Sequence, residues 1–203
     1  TILFGRLPAY PYCNTVWIRG RENLLVDPAC DEMTMRELAK NGNIEFLFNT
    51  HYHPDHIRYN GLFPKAKWLA HGQDAPCLRS LDSMAEWVGV KGTPWEKEWR
   101  RNLLENFGFR ERETIEEIQD GESLDLGGVT LQWIHLPGHT PGHTGFWLPE
   151  WKVCFLGDME LSPVGPWYGN RKACIDQIIQ SIDKIHQITA DLYIPAHGDP
   201  ASA

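Results

Sequence analysis

The stretch NTHYHPDHIRYN, residues 49–60, sets three histidines, an aspartate and a proline inside six positions, directly after the apolar run IEFLF. A continuous apolar run bounded by turn residues predicts a strand buried on both faces, so the histidines begin where a central strand ends. In open α/β sheets, ligands and catalytic groups collect in the crevice outside the carboxyl ends of the strands. If the chain stays extended from Thr50, the two-residue alternation puts His51 and His53 on one side and Tyr52 on the other. A turn at Pro54 then brings Asp55 and His56 round toward them. One loop can thus serve two metal ions. Imidazole and carboxylate without thiolate suit zinc, manganese or iron and leave a coordination position open for water. Solvated loop histidines, or Asp55 as a helix cap, are the bland alternative, and the HxHxDH spacing argues against them.

Outward from this loop the chain alternates strand and helix signals with no low-complexity segment and no long-period repeat. TVWIRG and NLLVDP read as paired strands around a turn at Gly20 to Glu22, and Asp31 is placed to cap a short helix carrying Met35, Leu38 and Ala39 that closes at Asn41-Gly42. Three further apolar runs stop at candidate ligands: WIHLPGHTPGHTG at His139 and His143, VCFLGDMEL at Gly157-Asp158, and LYIPAHGDP at His197. Buried strands need no such polar terminus for packing. His186 lies on an expected helix with Ile175, Ile178, Ile179, Ile182 and Ile185 and is given no chemistry, whereas His135 and His143 are expected to orient loops by hydrogen bonds.

The 203 residues suffice for one sizeable core, so a single domain over 1–203 is expected. A net charge of −8 without a run of Lys or Arg argues against a nucleic-acid partner. Five scattered cysteines without a CxxC pair suggest neither a disulfide framework nor a thiolate zinc site, and point to a reducing cytoplasm. No stretch approaches a membrane span and no basic-then-apolar leader precedes the chain, although its start at Thr1 leaves room for a removed segment.

Taken in order, NTVWIRGRENLLVDP, THYHPDH, LPGHTPGHTG, FLGD and IPAHGD resemble the metallo-β-lactamase superfamily, and within it the glyoxalase II-like branch of hydrolases. The resemblance spans nearly the whole chain. It implies an α/β (α+β) four-layer αββα sandwich with a binuclear site at the sheet edge. One ion would be held by His51, His53 and His139, the other by Asp55, His56 and His197, with Asp158 bridging. The implied cofactors are two divalent metal ions, zinc first, with manganese or iron also fitting. Such a pair, about 4 Å apart, holds a bridging hydroxide and polarises a carbonyl or phosphoryl oxygen. Asp55 would also accept the nucleophile's proton, and Asp27 matches a position that hydrogen-bonds a ligand histidine, the alternative being a turn residue before Pro28.

The substrate side is less legible. Residues 72–118 read as a helical cap, two helices about the Gly89 to Pro94 break, whose Trp87, Trp95 and Trp99 serve either as core or as pocket wall, with core favoured. SPVGPWYGN, residues 162–170, follows Asp158 closely; Tyr168 is a candidate catalytic donor to a substrate oxygen, as a tyrosine near this place is in some lactonases of the family, or else an anchor of a Pro/Gly turn. Two departures from glyoxalase II weaken a glutathione-thioester reading. IRYNG replaces the expected glycine pair, and the chain ends six residues after His197 without a basic cluster. The expected function is a metal-dependent hydrolase of a small ester, thioester or lactone, acting on a small-molecule substrate, without membrane or nucleic acid, with a homodimer compatible. The alternatives are a mononuclear iron dioxygenase of the persulfide dioxygenase type, using His51, His139 and Asp158, and a metal-binding domain without turnover.

Overall fold

The structure, a computed structural model, describes residues 1–7, 9–161 and 165–202. Two six-stranded mixed sheets form its centre. The first runs, in spatial order, β1 (Ile2–Leu3), β2 (Thr15–Arg19), β3 (Asn23–Val26), β4 (Phe46–Phe48), β5 (Lys67–His71) and β6 (Glu116–Ile118). The second has β7 (Ser123–Asp125) at one edge, then β8 (Thr130–His135), β9 (Thr144–Leu148), β10 (Val153–Gly157), β11 (Leu192–Pro195) and β12 (Ala201–Ser202). The helices are α1 (Glu32–Asn41), α2 (Pro54–Ile57), α3 (Ala75–Arg79), α4 (Leu81–Trp87), α5 (Glu96–Glu105) and α6 (Ile175–His186).

Alternation along each strand assigns its side chains to two different layers. In β4, Phe46 and Phe48 face the second sheet and meet the core of Leu131, Trp133 and Phe146, while Leu47 faces outward onto Met35 of α1 and its neighbours. In β3, Leu24 and Val26 point inward and Leu25 outward in the same way. Helices α1, α3, α4 and α5 cover that outer face, and α6 covers the second sheet through Ile178 and Ile185 against Ile134, Cys154 and Leu156. The result is the expected four-layer αββα sandwich. Both faces of β4 are dry, which is why its sequence reads as an unbroken apolar run rather than an alternation.

Several local signals act as read. β2 and β3 pair antiparallel from Val16↔Val26 to Arg19↔Asn23, and the Asp31 side chain caps α1 by accepting from Thr34 N at 2.9 Å. All five cysteines are free, and no helix among the described residues is long and apolar enough to cross a membrane. The isoleucines of α6 divide differently from a uniform stripe. Ile178 and Ile185 are buried and Ile182 partly so, whereas Ile175 and Ile179 are exposed, because successive residues turn about 100° and Ile179 sits that far round from Ile178. The segment 72–118 supplies α3, α4 and α5 and ends in strand β6, the edge of the first sheet. Its helices lie on the outer face of that sheet, with Trp87 and Trp99 packed into the layer and Trp95 exposed.

The strand directions converge on one edge. β3, β4 and β5 are mutually parallel, and so are β10 and β11; β8 runs with them because each of β8 and β10 is antiparallel to β9. The residues after β3, β4, β5, β8, β10 and β11 therefore emerge side by side, including Asp27, His51, Asp74, His139, Asp158 and His197. If β4 is dry on both sides, Leu47→Ala and Phe48→Ala each destabilise the protein by ~3 kcal/mol. Urea unfolding measures this, and a neutral Leu47→Ala would show that the outer layer is not packed.

Candidate metal centre

Pro54 opens α2 at its first position, where the missing N–H costs nothing, and His53 stands at the N-cap. The expected turn is therefore a one-turn helix, and it brings Asp55 and His56 back toward His51 and His53. The loop's two ends are tied by paired amides. Asn60 donates to Asn49 Oδ1 at 2.7 Å, Asn49 donates back to Asn60 Oδ1 at 3.3 Å, and Asn49 also donates to the His56 carbonyl.

Seven side chains converge. The nitrogens and oxygens of His51, His53, His139 and Asp158 lie within 4.8 Å of one another, as do those of Asp55, His56 and His197. His139 Nε2 is 2.9 Å from His53 Nδ1, 3.2 Å from His51 Nε2 and 3.2 Å from Asp158 Oδ2. Asp158 also reaches the second group, with Oδ1 3.1 Å from His56 Nε2 and 3.5 Å from His197 Nε2. Asp55 Oδ2 is 3.3 Å from His197 Nε2. All are buried except His197, which is 12% exposed at the rim.

The outward-facing ring atoms fix which nitrogens point inward. The Thr50 hydroxyl donates to Asp27 Oδ2 at 2.7 Å, so toward His51 Nδ1, 3.0 Å away, it is an acceptor and His51 carries its proton there. His56 Nδ1–H donates to Asp27 Oδ2 at 2.9 Å, and His139 Nδ1–H donates to the Trp167 carbonyl at 2.7 Å. Each of these three rings then turns its Nε2 into the cluster, the nitrogen that carries the lone pair when the ring is neutral. Lone pairs aimed at one another at about 3 Å are not hydrogen bonds. His56 Nε2 and Asp158 Oδ1 are buried without a hydrogen-bond partner, as is the outer His197 Nδ1. Buried polar atoms are rarely left so, and a divalent cation between them satisfies the inward atoms. The donor set fits the implied metal pair.

The same geometry sets the ionisation of the site. Burial lowers His51 well below the ordinary imidazole range and takes His53 to about 3. Burial by itself raises the Asp158 carboxyl, but the imidazoles of His56, His139 and His51 overcome it and hold that carboxyl well below its usual value. Burial by itself also lowers His56 and His197. The carboxylates facing them, Asp158 and Asp27 for His56 and Asp55 and Asp158 for His197, outweigh it and raise both rings. A cation displaces those protons, because it takes neutral imidazole and ionised carboxylate as ligands.

Around the cluster lies a frame of hydrogen bonds. Asp27 sits at φ 45°, a left-handed conformation, and takes bonds from Thr50 N and Oγ1 as well as from His56. It therefore orients a candidate ligand, as read from the sequence. His143 donates from Nδ1 to the Leu136 carbonyl and accepts the Asp158 N–H at Nε2, 2.9 Å away, so it positions Asp158. Gly157, at φ 57°, permits this, because a Cβ there would stand 2.5 Å from His143 Nε2. His135 contacts the Pro141 carbonyl at 2.8 Å and stacks on His71. Tyr52 is fully buried and points away from the ligands toward Trp87.

Two contributions escape sequence reading. Asp74, fully buried after β5, accepts from Thr140 Oγ1 at 2.6 Å and Gly142 N at 2.7 Å, tying the His139 loop to its own. Its signal is a lone aspartate in HGQDAP, without spacing to mark it. Trp167 packs on His53 and His139, with ring centroids 5.7 and 6.0 Å away, and supplies the carbonyl for His139. Its neighbour Tyr168, the expected oxygen donor, is 59% exposed and does not line the cavity over the cluster. The structure does not bring Tyr168 to the site: between Trp167 and Asn170, both held to His139, it faces solvent. Residues 162–164 of that stretch lie outside the described residues.

Burial pushes the Asp74 carboxyl up to about 7. The folded state thus keeps a proton that the unfolded chain releases near pH 4. The stability this contributes is complete below about pH 4 and is lost as pH rises toward about 7. Asp74→Asn removes the charge while keeping partners for Thr140 and Gly142. Thermal melts from pH 4 to 8 are expected to fall less steeply with pH in the variant, and parallel curves would contradict a buried titrating carboxyl.

The Metallo-beta-lactamase superfamily profile matches residues 10–197. Hydroxyacylglutathione hydrolase GloC of Haemophilus influenzae is 29% identical over 153 residues, 72% of this chain and 65% of that protein. Persulfide dioxygenase ETHE1 of Bos taurus is 26% identical over 194 residues, 91% of this chain and 64% of that protein. The chain thus spans a little under two thirds of the length of these relatives. Among solved structures, the metallo-beta-lactamase family protein TTHA1429 of Thermus thermophilus superposes with a TM-score of 0.76 at 23% identity, covering 100% of this chain and 74% of that one.

Proposed function

The chain belongs to the metallo-beta-lactamase superfamily, and from that premise we propose that it is a metal-dependent hydrolase with a binuclear site, cleaving a small ester, thioester or lactone. The observation that carries the reading is the sharing of Asp158. One oxygen faces His51 and His139, and the other faces His56 and His197. His51, His53 and His139 would hold one ion and Asp55, His56 and His197 the other, with the Asp158 carboxylate placed between the two groups. Two such cations supply Lewis acidity toward a substrate oxygen and water acidic enough to attack near neutral pH.

The chain's own groups do the rest. Asp55 lies at the floor of the cavity with its carboxylate beside His197, where it accepts the proton that the attacking water gives up. Asp27, Thr50 and His143 lock ring orientation and tautomer, so no reorganisation is needed when substrate enters. Zinc suits this N/O set best, and manganese or iron also fits.

A second reading has support in the persulfide dioxygenase relative, whose match covers 91% of this chain. There a single iron would use His51, His139 and Asp158. The second group, Asp55, His56 and His197, gives a second ion a place, and the identity and number of bound metal ions separate the two readings.

Asp27→Asn tests the arrangement gently, since asparagine tolerates the left-handed backbone and keeps one acceptor. It is expected to lower metal affinity or turnover ~10–100-fold. Asp158→Ala is expected to lower metal content and abolish hydrolysis of an ester, thioester and lactone panel together. Full occupancy with normal turnover in Asp158→Ala would contradict the shared ligand. Oxygen consumption with a persulfide, and no hydrolysis, would establish the second reading.

A further inference from the structure

The segment from Trp167 to Cys174 wraps around His139, and one side chain sits at its centre. The Trp167 carbonyl accepts His139 Nδ1–H at 2.7 Å, and Cys174 N donates to the Gly138 carbonyl at 2.8 Å. Between them Asn170 donates from Nδ2 to the carbonyl of His139 itself at 2.8 Å. Two glycines allow this closeness. A Cβ at Gly138, φ 125°, would stand 2.4 Å from Ile178 N of α6, and one at Gly169 would stand 2.7 Å from the Trp167 ring. His139 is thus held at its ring, at its carbonyl and through the residue before it.

The Asn170 amide has one orientation that satisfies its neighbours. Oδ1 accepts Lys172 N at 2.7 Å, a turn closed on its own chain, which leaves Nδ2 for His139. Nδ2 also lies 3.2 Å from His53 Nε2, the ring nitrogen opposite the one that meets His139. That contact holds while His53 carries its proton on Nδ1. An ion on Nδ1 moves the proton to Nε2, so the bond to the His139 carbonyl is the one that serves the loaded site. The segment is braced on its far side. The Lys172 ammonium lies over Trp87 at 5.1 Å, Trp87 meets Tyr52 edge-on with ring centroids 5.7 Å apart, and a Cβ at Gly89 would stand 3.6 Å from the Arg171 side chain. Asn170 therefore stands between α4 and the first group of candidate ligands, and it lines the cavity above them.

Resting on the two-ion reading above, we propose that Asn170 is a positioning residue for the first ion. By fixing the backbone of His139 it sets how tightly His51, His53 and His139 hold that ion, with little effect on the ion at Asp55, His56 and His197. The Trp167 carbonyl orients the ring of His139, and Asn170 fixes the backbone from which the ring hangs. Hydrogen-bonding partners behind metal ligands are worth about 10–100-fold in affinity. The second group rests on other residues. His56 Nδ1 bonds to Asp27, and the Asn14 side chain holds the Pro195 and Gly198 carbonyls on either side of His197. Each group thus has its own polar support, which lets the two affinities separate.

Cadmium, a closed-shell ion like zinc with an NMR-active isotope, provides the test. Correlating the cadmium signal with histidine ring protons assigns each bound ion to His51, His53 and His139 or to His56 and His197. Competition with a chelator then gives each affinity. Asn170→Ala is expected to weaken the first ion roughly tenfold or more and the second less than about threefold. Asn170→Ser keeps an acceptor for Lys172 N but is too short to reach the His139 carbonyl, so it is expected to behave like Asn170→Ala. In the wild type, the side-chain amide resonances of Asn170 are expected to shift with the first ion and not with the second, a readout that needs no variant. An unchanged first ion, equal weakening of both ions, recovery in Asn170→Ser, or amide resonances that ignore the first ion overturns the positioning role. A wild type that binds one ion, at the first group, contradicts the two-ion reading alone, and that ion's affinity still decides the role of Asn170.

Discussion

Everything at the edge where the strands end depends on one electrostatic constraint: ligand-type nitrogens and oxygens held close together, mostly buried, at the floor of a cavity. His51, His56 and His139 each spend their Nδ1–H on an outward partner, Thr50, Asp27 or the Trp167 carbonyl, and so aim Nε2 at a common centre. Without a cation this convergence is unfavourable, because buried acceptors facing one another repel and have lost their water. With one it becomes a preorganised ligand set. The frame must therefore be stiff enough to hold the donors together against their own repulsion.

That stiffness comes from the sandwich. Thr144 N donates to the Thr50 carbonyl at 3.0 Å, joining the second sheet to the loop that leaves the first. The Asn14 side chain reaches the Pro195 and Gly198 carbonyls on either side of His197, and its backbone N–H binds the Ala196 carbonyl. Asp74 clamps the His139 loop. Loops from both sheets are thus fixed to each other directly above a core of Phe48, Trp133 and Phe146. Parallel strands supply the reason that so many polar termini meet, and the buried core supplies the reason that they stay where they are.

The sequence carries the fold clearly where burial is two-sided or capping is local. IEFLF is continuous because β4 is covered on both faces, and Asp31 acts on Thr34 three residues away. The His/Asp cluster is legible for a similar reason: HxHxDH is dense, and His139, Asp158 and His197 each end an apolar run. Illegible are residues whose function rests on contacts distant in the chain. Asp74 acts on Thr140 and Gly142, more than sixty residues on, and Trp167 acts through its backbone, which no side-chain pattern announces. Tyr168 shows the converse. A residue type suited to the chemistry stood near the right place in sequence, and the bonds holding its neighbours to His139 leave it facing solvent. Trp99 is both core and wall, a dual role that helical spacing alone presents as core.

The central claim is that Asp158 joins two cation sites, and anomalous X-ray diffraction from crystals of the protein purified with its native metal tests it most directly. The account predicts two anomalous peaks roughly 3.5–4 Å apart, one among His51, His53 and His139, the other among Asp55, His56 and His197, with Asp158 between them. A single peak in the first group, at full occupancy and with an ordered, metal-free second group, would contradict it.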